Sequence, residues 1–227
     1  MPLIELLTGS GLGSLLGMRH ALEPDHLAAV TTLVSRERSG MRAALLGAWW
    51  GIGHTLALLT VGAALVVVRA ELPAKVSNAF ELAVAGMLVA LGLRSIRLAA
   101  LQGPGGPRHL HRHGVIVHSH AAVPAHVHLG AWTFARRPLL IGAVHGLAGS
   151  GALTALVLAT LPTTAARLMY VLLFGVGSTL SMAALSGVLG WPLARLGSHH
   201  RVSRGISLAV GLVSIGIGIW WGVKLVA

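Results

Sequence analysis

Unbroken apolar runs, not two-residue alternations, set the pattern of this chain. They lie at roughly 3–34, 42–69, 77–101, 138–161, 166–191 and 204–226. Each reaches the length of about 20 residues that a helix needs to cross the hydrocarbon core of a bilayer. The first two are longer than one crossing requires, which predicts tilted or broken helices. The expected fold is all-α: a polytopic membrane protein of about six transmembrane helices. One long polar stretch, 102–137, interrupts the runs. It opens with Gly103-Pro104-Gly105-Gly106-Pro107, a strong turn signal, and continues through His109, His111, His113, His118, His120, His126 and His128. No apolar periodicity runs through it, so a mobile loop is expected there.

Composition agrees with lipid as the solvent. Hydrophobic residues make up 55% of the 227 and charged residues only 10%. A soluble domain carries about 25% charged residues. The formal charge of +11 would suggest nucleic acid in a soluble protein. In a membrane protein it marks cytoplasmic loops instead, and no nucleic-acid partner is expected. Cysteine is absent, which removes disulfides, thiolate ligands and sulfur redox chemistry. The start Met1-Pro2-Leu3-Ile4-Glu5 has no basic n-region, so the first apolar stretch reads as a retained helix.

The basic residues are unevenly shared. One side of the expected membrane takes Arg36, Arg38, Arg42, Arg94, Arg97, Arg108, Arg112, Arg136, Arg137, Arg195, Arg201 and Arg204; the other takes Arg69, Lys75, Arg167 and Lys224. That bias places both termini outside and the His-rich loop in the cytoplasm of a cell (inner) membrane protein. The pairs Trp49-Trp50 and Trp220-Trp221 fit either interfacial anchors or packing between helices.

The two halves of the chain are alike. Gly17-Met18-Arg19-His20-Ala21-Leu22 aligns with Gly142-Ala143-Val144-His145-Gly146-Leu147, and Gly51-Ile52-Gly53-His54-Thr55-Leu56 with Gly175-Val176-Gly177-Ser178-Thr179-Leu180. Both matches fall at an offset of about 125 residues. Three helices per unit is an odd number, so the second copy enters the membrane from the opposite face, as in the inverted repeats of many secondary transporters. The expected organisation is 1–101, a first three-helix repeat; 102–137, the His-rich loop; and 138–227, a second three-helix repeat.

The densest chemistry lies in the first run, at His20-Ala21-Leu22-Glu23-Pro24-Asp25-His26, which holds the chain's one aspartate. A charged residue at the centre of a spanning helix costs about 2.5–3.5 kcal/mol on translocon scales, a cost that packing alone does not offset. Imidazole and carboxylate together suit Ni, Co, Zn, Fe or Mn. On a straight helix His20 would stand about 140° from Asp25 and about 120° from His26, so they would share no face. Pro24 changes that: it donates no backbone hydrogen bond, and its ring clashes with the carbonyl of His20. A helix broken inside the motif lets the three side chains meet. Arg36, Glu37 and Arg38 read as ordinary interfacial charges.

At this motif the sequence resembles the nickel/cobalt transporter family, whose His-x4-Asp-His signature matches His20, Asp25 and His26. The surrounding residues, from Arg19 through Val30, look like its shorter, urease-accessory-type branch. Gly53-His54-Thr55 is similar to the family's Gly-His-Ser/Thr motif, with Thr55 where serine is frequent. His145-Gly146-Leu147-Ala148-Gly149-Ser150-Gly151 resembles the corresponding motif of the second half. Better-known members have more helices than the six read here. The resemblance implies uptake or efflux of nickel or cobalt, with His20, Asp25, His26 and His54 on the metal path and His145, the repeat mate of His20, beside them. Glu23 stands where many members carry a second acid, as a ligand or a proton acceptor. Asp25 is either a ligand or the partner of a ligand histidine, and Ser150 or Thr55 could hydrogen-bond such a histidine from behind.

The expectation is therefore a secondary transporter of a divalent transition metal, the ion being cargo: Ni2+ or Co2+, with Zn2+, Fe2+ and Mn2+ also within the chemistry. No enzymatic activity and no prosthetic group are expected, and the lipid bilayer is the surrounding partner. The His-rich loop reads as a labile metal collector or a solubilising linker. Two other classes compete. A membrane sensor or assembly factor would bind metal without moving it. An intramembrane serine protease would use Ser150 in Gly149-Ser150-Gly151, but the histidines after it, His199 and His200, sit in a basic loop.

Overall fold

The computed structural model describes residues 3–35, 37, 39–68, 72–101, 109–113, 116–120, 126–129, 132–196 and 200–227. Arg36, Arg38, Arg69, Arg108, the Gly103–Pro107 turn and His199 lie outside them, as does the side chain of Ser150. The described residues form seven helices: α1 (Leu3–His20), α2 (Pro24–Val34), α3 (Gly40–Val68), α4 (Ala74–Ala100), α5 (Arg136–Thr160), α6 (Thr164–Leu196) and α7 (His200–Val226). The first apolar run is thus two helices. The chain is a multi-pass membrane protein: among the described residues α3, α4, α6 and α7 are long and apolar enough to cross a bilayer. Large apolar side chains such as Leu56, Leu180, Leu212 and Trp220 stand exposed on the outside of the bundle, as lipid-facing residues do.

Between α4 and α5, where a loop is expected, the described residues form two small antiparallel hairpins. β1 (His109–His113) pairs with β2 (Ile116–His120), and β3 (His126–Leu129) with β4 (Trp132–Ala135). The alternation His-x-His-x-His has the two-residue period of a strand. A search for helical apolar periodicity does not register it.

Inside the bundle α3 packs along α6 and α5, α1 along α6, and α4 along α7. Glycines make these crossings close, because side chains there would strike backbone. A Cβ on Gly17 would collide with the carbonyl of Phe174, and one on Gly142 with the carbonyl of Trp50. Likewise Gly177 meets the carbonyl of Ser14, and Gly53 that of Leu139. Small residues at helix contacts are the usual means of association in lipid, where apolar burial gives little drive. Hydroxyls add specific links: Ser95 Oγ donates to the Ser207 carbonyl at 2.8 Å, and Ser214 Oγ to that of Leu88 at 2.8 Å. Thr55 Oγ1 bonds the Gly175 carbonyl at 2.8 Å and lies 2.8 Å from Thr179 Oγ1.

Two apolar clusters fill the interior. One joins Ala28, Val30, Trp50, Leu88 and Met182; the other joins Leu58, Val157, Val171 and Phe174. Trp50 belongs to the first, almost fully buried, so packing and not interfacial anchoring is its role. Trp220 is exposed, and Trp221 Nε1 reaches Glu81 at 3.4 Å.

Candidate functional site

The break between α1 and α2 creates the site. α1 stops at His20, the His20 carbonyl accepts from Glu23 N at 3.0 Å in a tight turn, and Pro24 opens α2 at a position where its missing N–H costs nothing. Asp25 then falls in the first turn of α2, where the helix dipole favours a carboxylate. His20 and His26 sit on opposite sides of the break and their rings come within 4.4 Å, centroid to centroid. α3 brings His54, with its ring 5.4 Å from both. α5 brings His145, whose ring is 4.0 Å from His26 and 6.2 Å from His54. Trp50 and Phe174 close the sides, at 5.5 Å from His26 and 5.3 Å from His20.

Burial is nearly complete: His54 is 0% exposed, His26 1%, His145 2% and Asp25 5%. Asp25 lies between two imidazoles, with Oδ1 3.2 Å from His26 Nδ1 and Oδ2 2.7 Å from His145 Nε2. A carboxylate only accepts, so both of these nitrogens donate, and the tautomers follow. His26 Nε2 and His145 Nδ1 are left as lone pairs, each buried with no partner among the described residues. Glu23 treats His20 in the same way, Oε2 lying 3.0 Å from Nδ1. Both nitrogens of His54 are buried and without a partner.

Leaving a buried polar atom unpaired costs about 1–3 kcal/mol, so several unpaired imidazole nitrogens in one place favour a bound partner there. One nitrogen each from His20, His26 and His54 lie within 4.8 Å of one another, and so do single donor atoms of Asp25, His26 and His145. Neutral imidazoles backed by carboxylates are the form in which histidine binds a cation.

Of the six residues read from sequence as the metal set, the structure brings His20, Asp25, His26, His54 and His145 together. Glu23 is half exposed at the edge and belongs to neither donor group, touching the cluster through His20. Thr55 does not back a histidine; its hydroxyl is taken up by Gly175 and Thr179 on α6. Trp50 and Phe174 were not anticipated as walls of the site. The available signal was spacing, since Trp50 is one helical turn before His54 and shares its face.

No family model matches the sequence, and no solved structure does. Among curated proteins it is 29% identical over 218 residues to the chloroplast protein FOR GROWTH AND FERTILITY 1 of Arabidopsis thaliana, and 27% identical over 228 residues to FOR GROWTH AND FERTILITY 2. The matches take in 94% and 95% of this chain but 58% and 56% of those longer proteins. With the urease accessory protein UreH of Bacillus sp. (strain TB-90) it shares 32% identity over 219 residues, 96% of this chain and 92% of the relative. A likeness of that extent, running almost end to end in both proteins, places the chain in the family of the urease accessory protein UreH.

Proposed function

We propose that this protein is a secondary transporter that moves a divalent transition metal ion, nickel or cobalt, across a cell membrane through the buried His/Asp cluster. One observation carries the reading: imidazoles from α1, α2, α3 and α5 converge inside the bundle with unpaired nitrogens. Nitrogen-rich, thiolate-free donors favour borderline ions such as Ni2+, Co2+ and Zn2+ over Mg2+ or Ca2+. Asp25 and Glu23 supply two negative charges beside neutral imidazoles, which match the two positive charges of the ion. The resemblance of His20, Asp25 and His26 to the nickel/cobalt signature narrows the choice to nickel or cobalt, and the relationship to a protein named for its part in urease assembly is in keeping with nickel.

In this reading there are six spans, α1 and α2 together forming the first, arranged as an inverted pair of three-helix units, 1–101 and 138–227, with 102–137 between them in the cytoplasm and both termini outside. The glycine contacts support the pairing. Gly17 against Phe174 and Gly142 against Trp50 are the same contact shifted by about 125 residues with the halves exchanged, and so are Gly177 against Ser14 and Gly53 against Leu139. Transport by rocking of such units about a midplane site is the alternating-access scheme. The distinguishing measurement is accumulation of radioactive nickel, cobalt, zinc, manganese and iron in cells making the wild type or His20→Ala. Nickel or cobalt flux dependent on His20 is expected; equal accumulation of every metal would end the transport reading. Binding without flux in proteoliposomes would leave a sensor or assembly factor.

A further inference from the structure

The donors around the break form two groups, not one. His20, His26 and His54 make the first; Asp25, His26 and His145 make the second, and only His26 belongs to both. Its ring offers an edge to each group. Nδ1 faces Asp25 at 3.2 Å, while Nε2 is buried without a partner. The lone pairs of an imidazole diverge, so a single ion cannot be held by both groups through that ring. The groups also differ in depth. His20 is 17% exposed and adjoins the half-exposed Glu23, whereas all three members of the second group are buried.

We infer that the cation occupies two stations in turn: an outer one formed by His20, His26 and His54, and an inner one formed by Asp25, His26 and His145, with the His26 imidazole shared between them. This rests on the transport reading and deepens it. Both stations take a borderline divalent transition metal, the outer through imidazole alone and the inner through imidazole and carboxylate. Two dications across one imidazole repel strongly in a low-dielectric interior, so one ion per chain is held at a time. When the ion moves inward, His26 and His145 remain neutral: each gives the proton that now faces Asp25 to water that accompanies the ion, and takes one back from that water on its opposite nitrogen. The ion then replaces the two hydrogen bonds that Asp25 makes.

The test uses the full chain, purified in detergent and also reconstituted in liposomes, with Co2+ as transported ion and spectroscopic probe. His145→Gln keeps an N–H for Asp25 but is a poor ligand. The expected result is Co2+ affinity within about threefold of wild type, an unchanged visible spectrum, and flux at least about tenfold lower; a ligand or outer partner of one single site would instead lose about 10–100-fold in affinity. Affinity and flux falling together would overturn the two-station arrangement, and so would wild-type flux. His145→Ala gives the same pair of readings if the Gln variant is not monodisperse. Failure of the wild type to bind or move Co2+ would sink the transport reading with it; a transporting wild type with the wrong His145 pattern would sink this inference alone.

Discussion

Between Gly17 and His26 the chain ends one helix and begins another; between Gly142 and Gly151, aligned with it residue for residue, α5 runs on uninterrupted. The backbones start from equivalent contacts, Gly17 on Phe174 and Gly142 on Trp50. They part where Leu22-Glu23-Pro24-Asp25-His26 faces Leu147-Ala148-Gly149-Ser150-Gly151. Gly149 fills the place of Pro24 and keeps its N–H; a Cβ there would make only an ordinary contact, 3.7 Å from His20 Nε2. On the neighbouring helices His54 corresponds to Ser178, whose hydroxyl goes to the Gly17 carbonyl at 3.0 Å. A common scaffold therefore carries unequal chemistry. The first half supplies His20, Asp25, His26 and His54, while the second supplies His145 and backbone room.

The strongest way to break the comparison is to remove its shared part. Gly142→Val drives a branched side chain into the Trp50 carbonyl, and no folded protein is expected on size exclusion in detergent. The same change at Gly86, where nothing stands within 4 Å of an added Cβ, is expected to be tolerated. Next, Gly149→Pro imposes on α5 the break that Pro24 imposes on the first span. Its ring would meet the His145 carbonyl, and a loss of about 3 kcal/mol is expected, read as a lowered Tm together with lost metal binding. His54→Ala and Ser178→Ala then separate chemistry from scaffold. The first is expected to reduce metal affinity by at least about 100-fold, beyond the usual loss from an outer partner. Its effect on Tm is expected to be small, because the lost packing is offset by removal of two unpaired nitrogens. The second costs about 1 kcal/mol for one hydrogen bond and leaves binding intact. Thr55→Val is comparable: it removes the links to Gly175 and Thr179 for about 1–2 kcal/mol and spares the metal affinity of the resting protein.

The sequence showed the break and its consequence because proline acts locally: Pro24 alone dictates that His20 and Asp25 lie on different helices. His145 was legible through its alignment with His20 and through the motif that it opens. The destination of Thr55 was not, since a hydroxyl can turn to any nearby acceptor and the nearest proved to be across the bundle. The glycine crossings escaped for a related reason. Their partners are carbonyls, which every residue has, so no letter of the sequence marks them. The hairpins of the His-rich stretch carry the period of a strand in polar residues, where an apolar signal was sought.

The glycine-to-carbonyl crossings limit how this bundle can rearrange. Where backbone rests on backbone there is no side chain to change rotamer, so α1 cannot slide along α6, nor α3 along α5, without a collision. The α3–α6 crossing is as close, since a Cβ on Gly47 would meet the Met182 carbonyl and one on Gly51 the Thr179 backbone. Access to His26 therefore requires whole helices to part or bend, and the Thr55–Thr179 link between α3 and α6 is among the contacts that would have to yield.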